Sequence, residues 1–176
     1  MKKLTLIRHT KSTHDNLGLR DFQRPLSQRG IRDASLLGQH LKAAFNFAPD
    51  AIIASPAIRA ATTAAIIMRE AGLCPGLLTE DRLVYEAPLC SLVNVVRRLP
   101  DTARHVTLFG HNPGFELLAN WLCGARIIDR LRTGGVVMLQ LDLNQWSLAE
   151  LKSAQLITYF YPAQIGGGKD APVDAN

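Results

Sequence analysis

The chain predicts an α/β fold, with three α/β/α layers built around a mostly parallel central sheet. Short apolar runs alternate with longer amphipathic ones, the pattern of strands joined by crossover helices. The first run, Lys3 to Ile7, is close to continuously apolar rather than alternating, as expected of a strand covered by helices on both faces. The 176 residues, 47% hydrophobic and 20% charged, suffice for one well-packed core and fall short of two comfortable domains.

A polar stretch from Thr10 to Arg24 follows that strand. Ser27 is placed to cap a helix running to Phe45, along which Ile31, Ala34, Leu37, Leu41 and Phe45 recur at three- and four-residue steps and so share one face. Ala51 to Ala54 reads as a second strand. Ser55-Pro56 reads as the opening of the next helix, with serine at the N-cap and proline in the first helical position. Gly72 is its C-cap. Leu77 to Thr79 reads as a short strand, and Pro88 begins a short helix carrying Leu92, Val95, Val96 and Leu99. Val106 to Gly110 is the next strand. Pro113 and Gly124 bound a helix whose stripe of Leu117, Leu118, Trp121 and Leu122 reads as core. Val136 to Leu141 and Gln155 to Tyr161 are the last strands, with Asn144-Gln145 in the link of an antiparallel pair. Residues 1–165 read as one domain, and the Gly-rich, polar tail 166–176 is expected to be disordered.

Several function classes are disfavoured. The apolar start breaks at Arg8-His9, too early for a signal-peptide core. No later stretch reaches the ~20 apolar residues of a membrane span. A soluble, cytoplasmic protein with no membrane partner is expected. Cys74, Cys90 and Cys123 are odd in number and widely spaced, which argues for small buried or half-buried thiols rather than disulfides or a zinc knuckle. The net charge of +5 suits anionic partners. The basic residues are dispersed, without the dense cluster or interleaved aromatics of a nucleic-acid surface, and no nucleic-acid partner is expected.

Arg8-His9 directly follows the first strand, Arg59 lies in the first turn after the second, and His111 directly follows the Val106–Gly110 strand. Ligand sites of open parallel sheets lie outside the carboxyl ends of the strands. Three strand ends therefore bring two arginines and two histidines to one crevice. Forked guanidinium donors match phosphate oxygens, and helix N-termini at Pro56 and Pro113 add positive dipole ends. A neutral histidine can attack phosphorus through a ring nitrogen, while a protonated second histidine can hold the charged oxygens of the transition state.

Five ordered motifs across roughly residues 3–146 resemble the histidine phosphatase superfamily, which includes the phosphoglycerate mutases, and within it the short SixA-like phosphohistidine phosphatases. They are Arg8-His9-Thr10-Lys11-Ser12; Asp21 to Ser27 with Gly30; Ser55-Pro56-Ala57-Ile58-Arg59-Ala60 with Thr62 or Thr63 and Ala64; Tyr85-Glu86-Ala87; and Gly110-His111-Asn112-Pro113-Gly114. Thr10 departs from the Gly or Ala usual there, and a β-branched residue beside the nucleophile is expected to narrow the pocket. The resemblance implies a phosphoglycerate mutase-like fold and a metal-independent phosphatase with no cofactor. It implies His9 as the nucleophile that becomes phosphohistidine, with Arg8, Arg59 and His111 completing the phosphate pocket. Glu86 would be the proton donor to the leaving group and then the base for water. Asp21 and Arg24 would stand at the substrate-binding rim, with Arg24 on substrate.

Taken singly, these residues have ordinary readings: a strand-end histidine, a solvated helix arginine, a surface carboxylate before Pro88. Their arrival at one sheet edge favours the chemical reading. A metal site is the rival use of His9 and His111, but no HxxxH pair or acidic cluster stands beside them and two arginines would repel a divalent cation. His14 lies on the nearby loop and is a candidate substrate contact, whereas His40 and His105 read as surface or satisfied residues. About 25 residues separate Glu86 from His111, too few for both a helix and a large lid. An open basic pocket suits a phosphohistidine displayed on a protein. A small phosphate ester, such as a sugar phosphate or nucleotide, is the alternative substrate. A mutase would need to shield its phosphohistidine from water, and a non-catalytic phosphate-binding module would need neither His9 nor Glu86.

Overall fold

The computed structural model describes residues 1–13 and 18–166. His14 and the tail beyond Gly166 lie outside the described residues. The elements run β1 (Lys2–Arg8), α1 (Gln28–Phe45), β2 (Ala51–Ala54), α2 (Ile58–Ala71), β3 (Leu78–Glu80), α3 (Leu89–Arg97), β4 (His105–Gly110), α4 (Gly114–Cys123), β5 (Val136–Leu141), β6 (Ala154–Phe160) and α5 (Pro162–Ile165). One sheet in the order β3-β2-β4-β1-β5-β6 holds all the named strands. The first four in this order are mutually parallel, and β5 runs antiparallel to both neighbours. No helix among the described residues is long and apolar enough to cross a membrane.

The inner strands β1, β2, β4 and β5 are largely buried because two helical layers cover the sheet. Leu4, Leu6, Val106 and Leu108 pack with Leu92, Val96, Leu118 and Leu122 of α3 and α4. Ile7, Ile52, Ala54 and Phe109 pack with Leu37, Leu41, Ala64 and Ile67 of α1 and α2. Neighbouring residues such as Leu6 and Ile7 thus feed opposite cores, as the two-residue period of a strand requires.

Helix boundaries mostly follow local chemistry. The Ser27 hydroxyl accepts from the Gly30 amide at 3.1 Å and starts α1. Left-handed Gly72 and Gly124 end α2 and α4. The exception is the start of α2. Its N-cap is Ala57, which makes no side-chain cap, and the first helical residue is Ile58. Ser55-Pro56 therefore precedes the helix, because the Ser55 side chain is committed to the site described below. Burial corrects three further expectations. Ile31 is exposed and Phe45 only half-buried, so the α1 core face is carried by Gly30, Ala34, Leu37, Gly38 and Leu41. Leu117 is exposed while Leu118 and Leu122 are fully buried. Cys74 and Cys90 are exposed thiols, with Cys123 half-buried. As expected, β5 and β6 pair antiparallel through a link that holds Asn144-Gln145; it also includes a turn of 3-10 helix at Trp146–Leu148.

Candidate active site

The strand register builds the site. Arg8 pairs with Gly110 across β1 and β4, and Ala54 pairs with Phe109 across β2 and β4. The ladder continues one residue further: the His9 amide donates to Gly110 O at 3.0 Å and the Ser55 amide to Phe109 O at 2.9 Å. His9, Ser55 and His111 are thus the first residues beyond three adjacent parallel strands, at one sheet edge. Arg59, in the first turn of α2, reaches the same place.

His9 is buried, and its Nδ1 lies 2.7 Å from Thr10 O. A carbonyl can only accept, so Nδ1 carries the proton and Nε2 keeps its lone pair. Arg59 Nε donates to that Nε2 at 3.2 Å. The Thr10 side chain turns toward α2, with Oγ1 3.3 Å from Thr63 Oγ1. Its Cγ2 also packs on Gly134, where a Cβ would lie 3.2 Å away and 2.9 Å from Pro162 Cγ. Gly134 additionally has φ +70°, so a glycine is required there on both counts. Thr10 therefore forms part of the floor beneath His9 instead of narrowing the pocket. Thr63 ties this floor to Arg59, accepting from the Thr10 amide at 3.2 Å and donating to Arg59 O at 2.7 Å.

Arg59 is the hub. Its Nη1 donates to Asp21 O at 2.6 Å, and Nη2 to Asp21 Oδ2 at 2.8 Å and Glu86 Oε1 at 3.4 Å. Asp21 also accepts from Tyr85 Oη at 2.9 Å and Arg24 Nη1 at 2.8 Å. Partial burial alone would raise the Asp21 carboxyl, but the Tyr85, Arg59 and Arg24 hydrogen bonds hold it well below the usual carboxylate range. Arg24 is spread over Asp21, Thr13 O and Ser12 Oγ. Tyr85 presents its ring edge-on to His111, with centroids 5.4 Å apart.

His111 is buried, its ring 5.2 Å from that of His9, and Nε2 shares a 2.8 Å hydrogen bond with Ser55 Oγ. His111 Nδ1 is buried without a partner, and so is Arg8 Nε. Arg8 Nη1 donates to Leu131 O at 2.7 Å. Glu86 stands at the open edge with a 54% exposed side chain and φ +45°, uncommon for a residue with a side chain. The turn that holds it needs Gly114: a Cβ there would lie 2.3 Å from Ala87 O. Among the described residues no three His, Cys, Asp or Glu side chains form a metal-holding group.

The model of the histidine phosphatase superfamily (branch 1) matches residues 4–84, a span holding Arg8, His9, Asp21, Arg24 and Arg59. An uncharacterized protein of Mycobacterium tuberculosis is 30% identical over 165 residues, covering 89% of this chain and 99% of the relative. The chain belongs to the histidine phosphatase superfamily. Among solved structures, a protein of Nakamurella multipartitia provisionally assigned as the phosphohistidine phosphatase SixA superposes with TM-score 0.78 at 23% identity, over 92% of this chain and 96% of that one. The protein histidine phosphatase SixA complexed with tungstate superposes with TM-score 0.75 at 18% identity, over 92% and 98%. Both share the fold.

The sheet edge gathers the sequence-predicted residues: His9, Arg59, His111, Asp21, Arg24 and Glu86 form one connected cluster, and Arg8 is anchored beside it. Sequence reading missed Ser55, Thr63 and the Tyr85 hydroxyl as site components. Ser55 was within reach of the strand-end rule that marked His9 and His111, since it directly follows β2.

Burial lowers His9 to about 4, with the Arg59, Arg8 and Arg24 charges adding to the fall against the Thr10 carbonyl. Burial and then the Arg59 and His9 charges lower His111 to about 3. Outside the site, burial and then Lys3 lower His105 to about 4, where it faces Thr5 Oγ1 at 2.9 Å. All three are neutral in the fold and would titrate near 6.5 when unfolded. The unfolded chain thus binds more protons between these limits, so stability is full above pH ~6.5 and falls as pH drops toward 4. At pH 5 each histidine costs about 2 kcal/mol by this linkage. Thermal unfolding followed from pH 8 to pH 4.5 should show a steep loss of Tm, and His105→Gln should flatten it by about one proton's worth. A Tm independent of pH over this range would contradict the burial of these imidazoles.

Proposed function

We propose that this superfamily member is a metal-independent phosphatase that forms phosphohistidine on His9, and that its substrate is phosphohistidine on a protein. The reading is carried by one observation: a neutral imidazole, its unprotonated Nε2 accepting only from the Arg59 guanidinium, is set among cationic and orphaned donors. Arg8 Nε and His111 Nδ1 are buried without acceptors, a costly condition that phosphoryl oxygens would relieve. Ser55 Oγ already accepts from the Ala57 amide at 3.3 Å. Donating its own proton to His111 Nε2, it leaves His111 with its proton on Nδ1, available to a phosphoryl oxygen. His111 then acts as a neutral donor, since burial and Arg59 oppose a second charge.

Phosphate binding draws the Arg59 fork off His9 Nε2 and onto the phosphoryl oxygens. Nε2 attacks phosphorus as the bond to the leaving group breaks, and Glu86 gives that group its proton. The phosphorylated ring is cationic, and its Nδ1–H remains on Thr10 O. Water then attacks phosphorus, Glu86 takes its proton, and inorganic phosphate leaves as His9 recovers its lone pair. Asp21 is a positioning residue: its carboxylate would repel phosphate, but it fixes Arg59, Arg24 and Tyr85. Arg24, which lies at the rim, is placed to meet the phosphoryl group from the outer side.

Two features support a protein substrate. The rim is open, with Glu86 and Asp21 side chains 54% and 41% exposed, and only α3 and β4 lie between Glu86 and His111. The fold is also shared with a structure described as a protein histidine phosphatase bound to tungstate, itself a tetrahedral oxyanion. The test compares kcat/KM for phosphohistidine proteins, sugar phosphates and nucleotides in excess chelator. Turnover should persist under chelation and favour phosphohistidine. A requirement for added metal would refute the mechanism, and a preference of several orders for a metabolite would refute the protein substrate.

A further inference from the structure

The loop between α4 and β5 carries a feature that the mechanism leaves unused. Leu131 O accepts from Arg8 Nη1 at 2.7 Å and from Asn112 Nδ2 at 3.1 Å, so this loop wall borders the phosphoryl pocket. Arg130 and Arg132 flank Leu131, and both are exposed. Neither makes an ion pair among the described residues; the loop's own acid, Asp129, is taken by Arg126 at 2.9 Å. Arg130 acts directly on Arg8: burial and then the Arg130 charge lower the Arg8 pKa, against the Glu116 carboxylate.

The loop is built to hold this arrangement. The Leu131 amide donates to Glu116 Oε2 at 2.8 Å. Tyr159 Oη donates to Arg130 O at 2.9 Å and accepts from the Arg132 amide at 3.1 Å. The Arg132 guanidinium lies over the Tyr161 ring, 5.2 Å from its centroid, a contact that restrains the side chain. Crowded like charges on a fixed frame are unfavourable unless an anion answers them.

We propose that Arg130 and Arg132 form a subsite for a second anionic group of the substrate, beside the phosphoryl group that is removed. This rests on the phosphatase reading above. Planar forks suit carboxylate and phosphate alike, so the second anion is either an acidic side chain next to a phosphohistidine or another phosphate on a small ester.

Two matched pairs separate these sources: phosphohistidine peptides flanked by aspartates or by asparagines, and fructose 1,6-bisphosphate against fructose 1-phosphate. For the wild type, kcat/KM should favour the more anionic member of one pair by about tenfold, and added salt should shrink that margin. The pair that responds identifies the source. In the Arg130→Gln/Arg132→Gln variant the ratio should fall to near one. A wild-type ratio near one in both pairs, or a ratio unchanged in the double variant, overturns the subsite. Binding of the same four compounds to His9→Ala, with and without the two loop substitutions, reads the subsite without turnover. Loop-dependent binding discrimination in a protein that hydrolyses none of them would sustain the subsite while refuting the phosphatase reading. Absence of that discrimination would overturn the subsite itself.

Discussion

Replacing His9 with alanine is expected to lower kcat/KM for an aryl phosphate by about 10⁵-fold, the scale seen when a covalent nucleophile is removed. The same change should abolish a rapidly formed, acid-labile phosphoenzyme in quench experiments with labelled substrate. Both readouts are needed because a residue that only binds phosphate would lower turnover without carrying the label. Folding should survive. His9 is a burden on stability at acid pH, since its buried imidazole resists the proton that the unfolded chain accepts. The alanine variant is therefore expected to match the wild type near neutral pH and to exceed it near pH 5 by about 2 kcal/mol, the linkage removed with the ring. Full labelling in His9→Ala would place the nucleophile elsewhere. A collapse of Tm at neutral pH would make His9 a structural residue first.

The edge that gathers the candidate site was legible because its residues are contiguous with strands. Arg8-His9 and His111 follow apolar runs without an intervening loop, and parallel register carries them to the same level. Arg59 is one helical turn away from a third strand and follows for the same reason. What could not be read is chemistry that crosses the chain without a period. Asp21 meets Arg59 across 38 residues, and nothing in the sequence says that this carboxylate holds an arginine instead of facing substrate. Ser55 shows how a tertiary contact overrides a local preference: its hydroxyl fits an N-cap, but it joins His111 and the Ala57 amide, and the helix begins only at Ile58. The antiparallel pairing of the last two strands was legible, but the direction of β5 against β1 was hidden, since apolar periodicity is the same for a parallel and an antiparallel strand. Leu117 and Ile31 lie at the margins of apolar stripes, where a 3.6-residue period leaves one position turned outward.

Arg59→Ala is expected to cost about 10³-fold in kcat/KM, the scale for a cation that stabilises a transferring phosphoryl group. The guanidinium does three things at once: it lies on His9 Nε2, it carries the fork nearest that nitrogen, and it shares Asp21 with Arg24. Arg59→Lys should recover little and remain about 10²-fold down, because a single ammonium cannot span His9 and Asp21 at once. The substitution also has a titration signature. Arg59 is one of the charges holding His9 neutral, so its removal should raise the His9 pKa from about 4 and move the acid limb of kcat/KM to higher pH. Asp21 should rise as well, having lost one of its three hydrogen-bonding partners. A loss of rate with an unmoved acid limb would mean that Arg59 binds phosphate without governing the nucleophile's charge. Full activity in Arg59→Lys would show that only net charge is required, and the connected Arg59–Asp21–Tyr85 frame would lose its role in positioning.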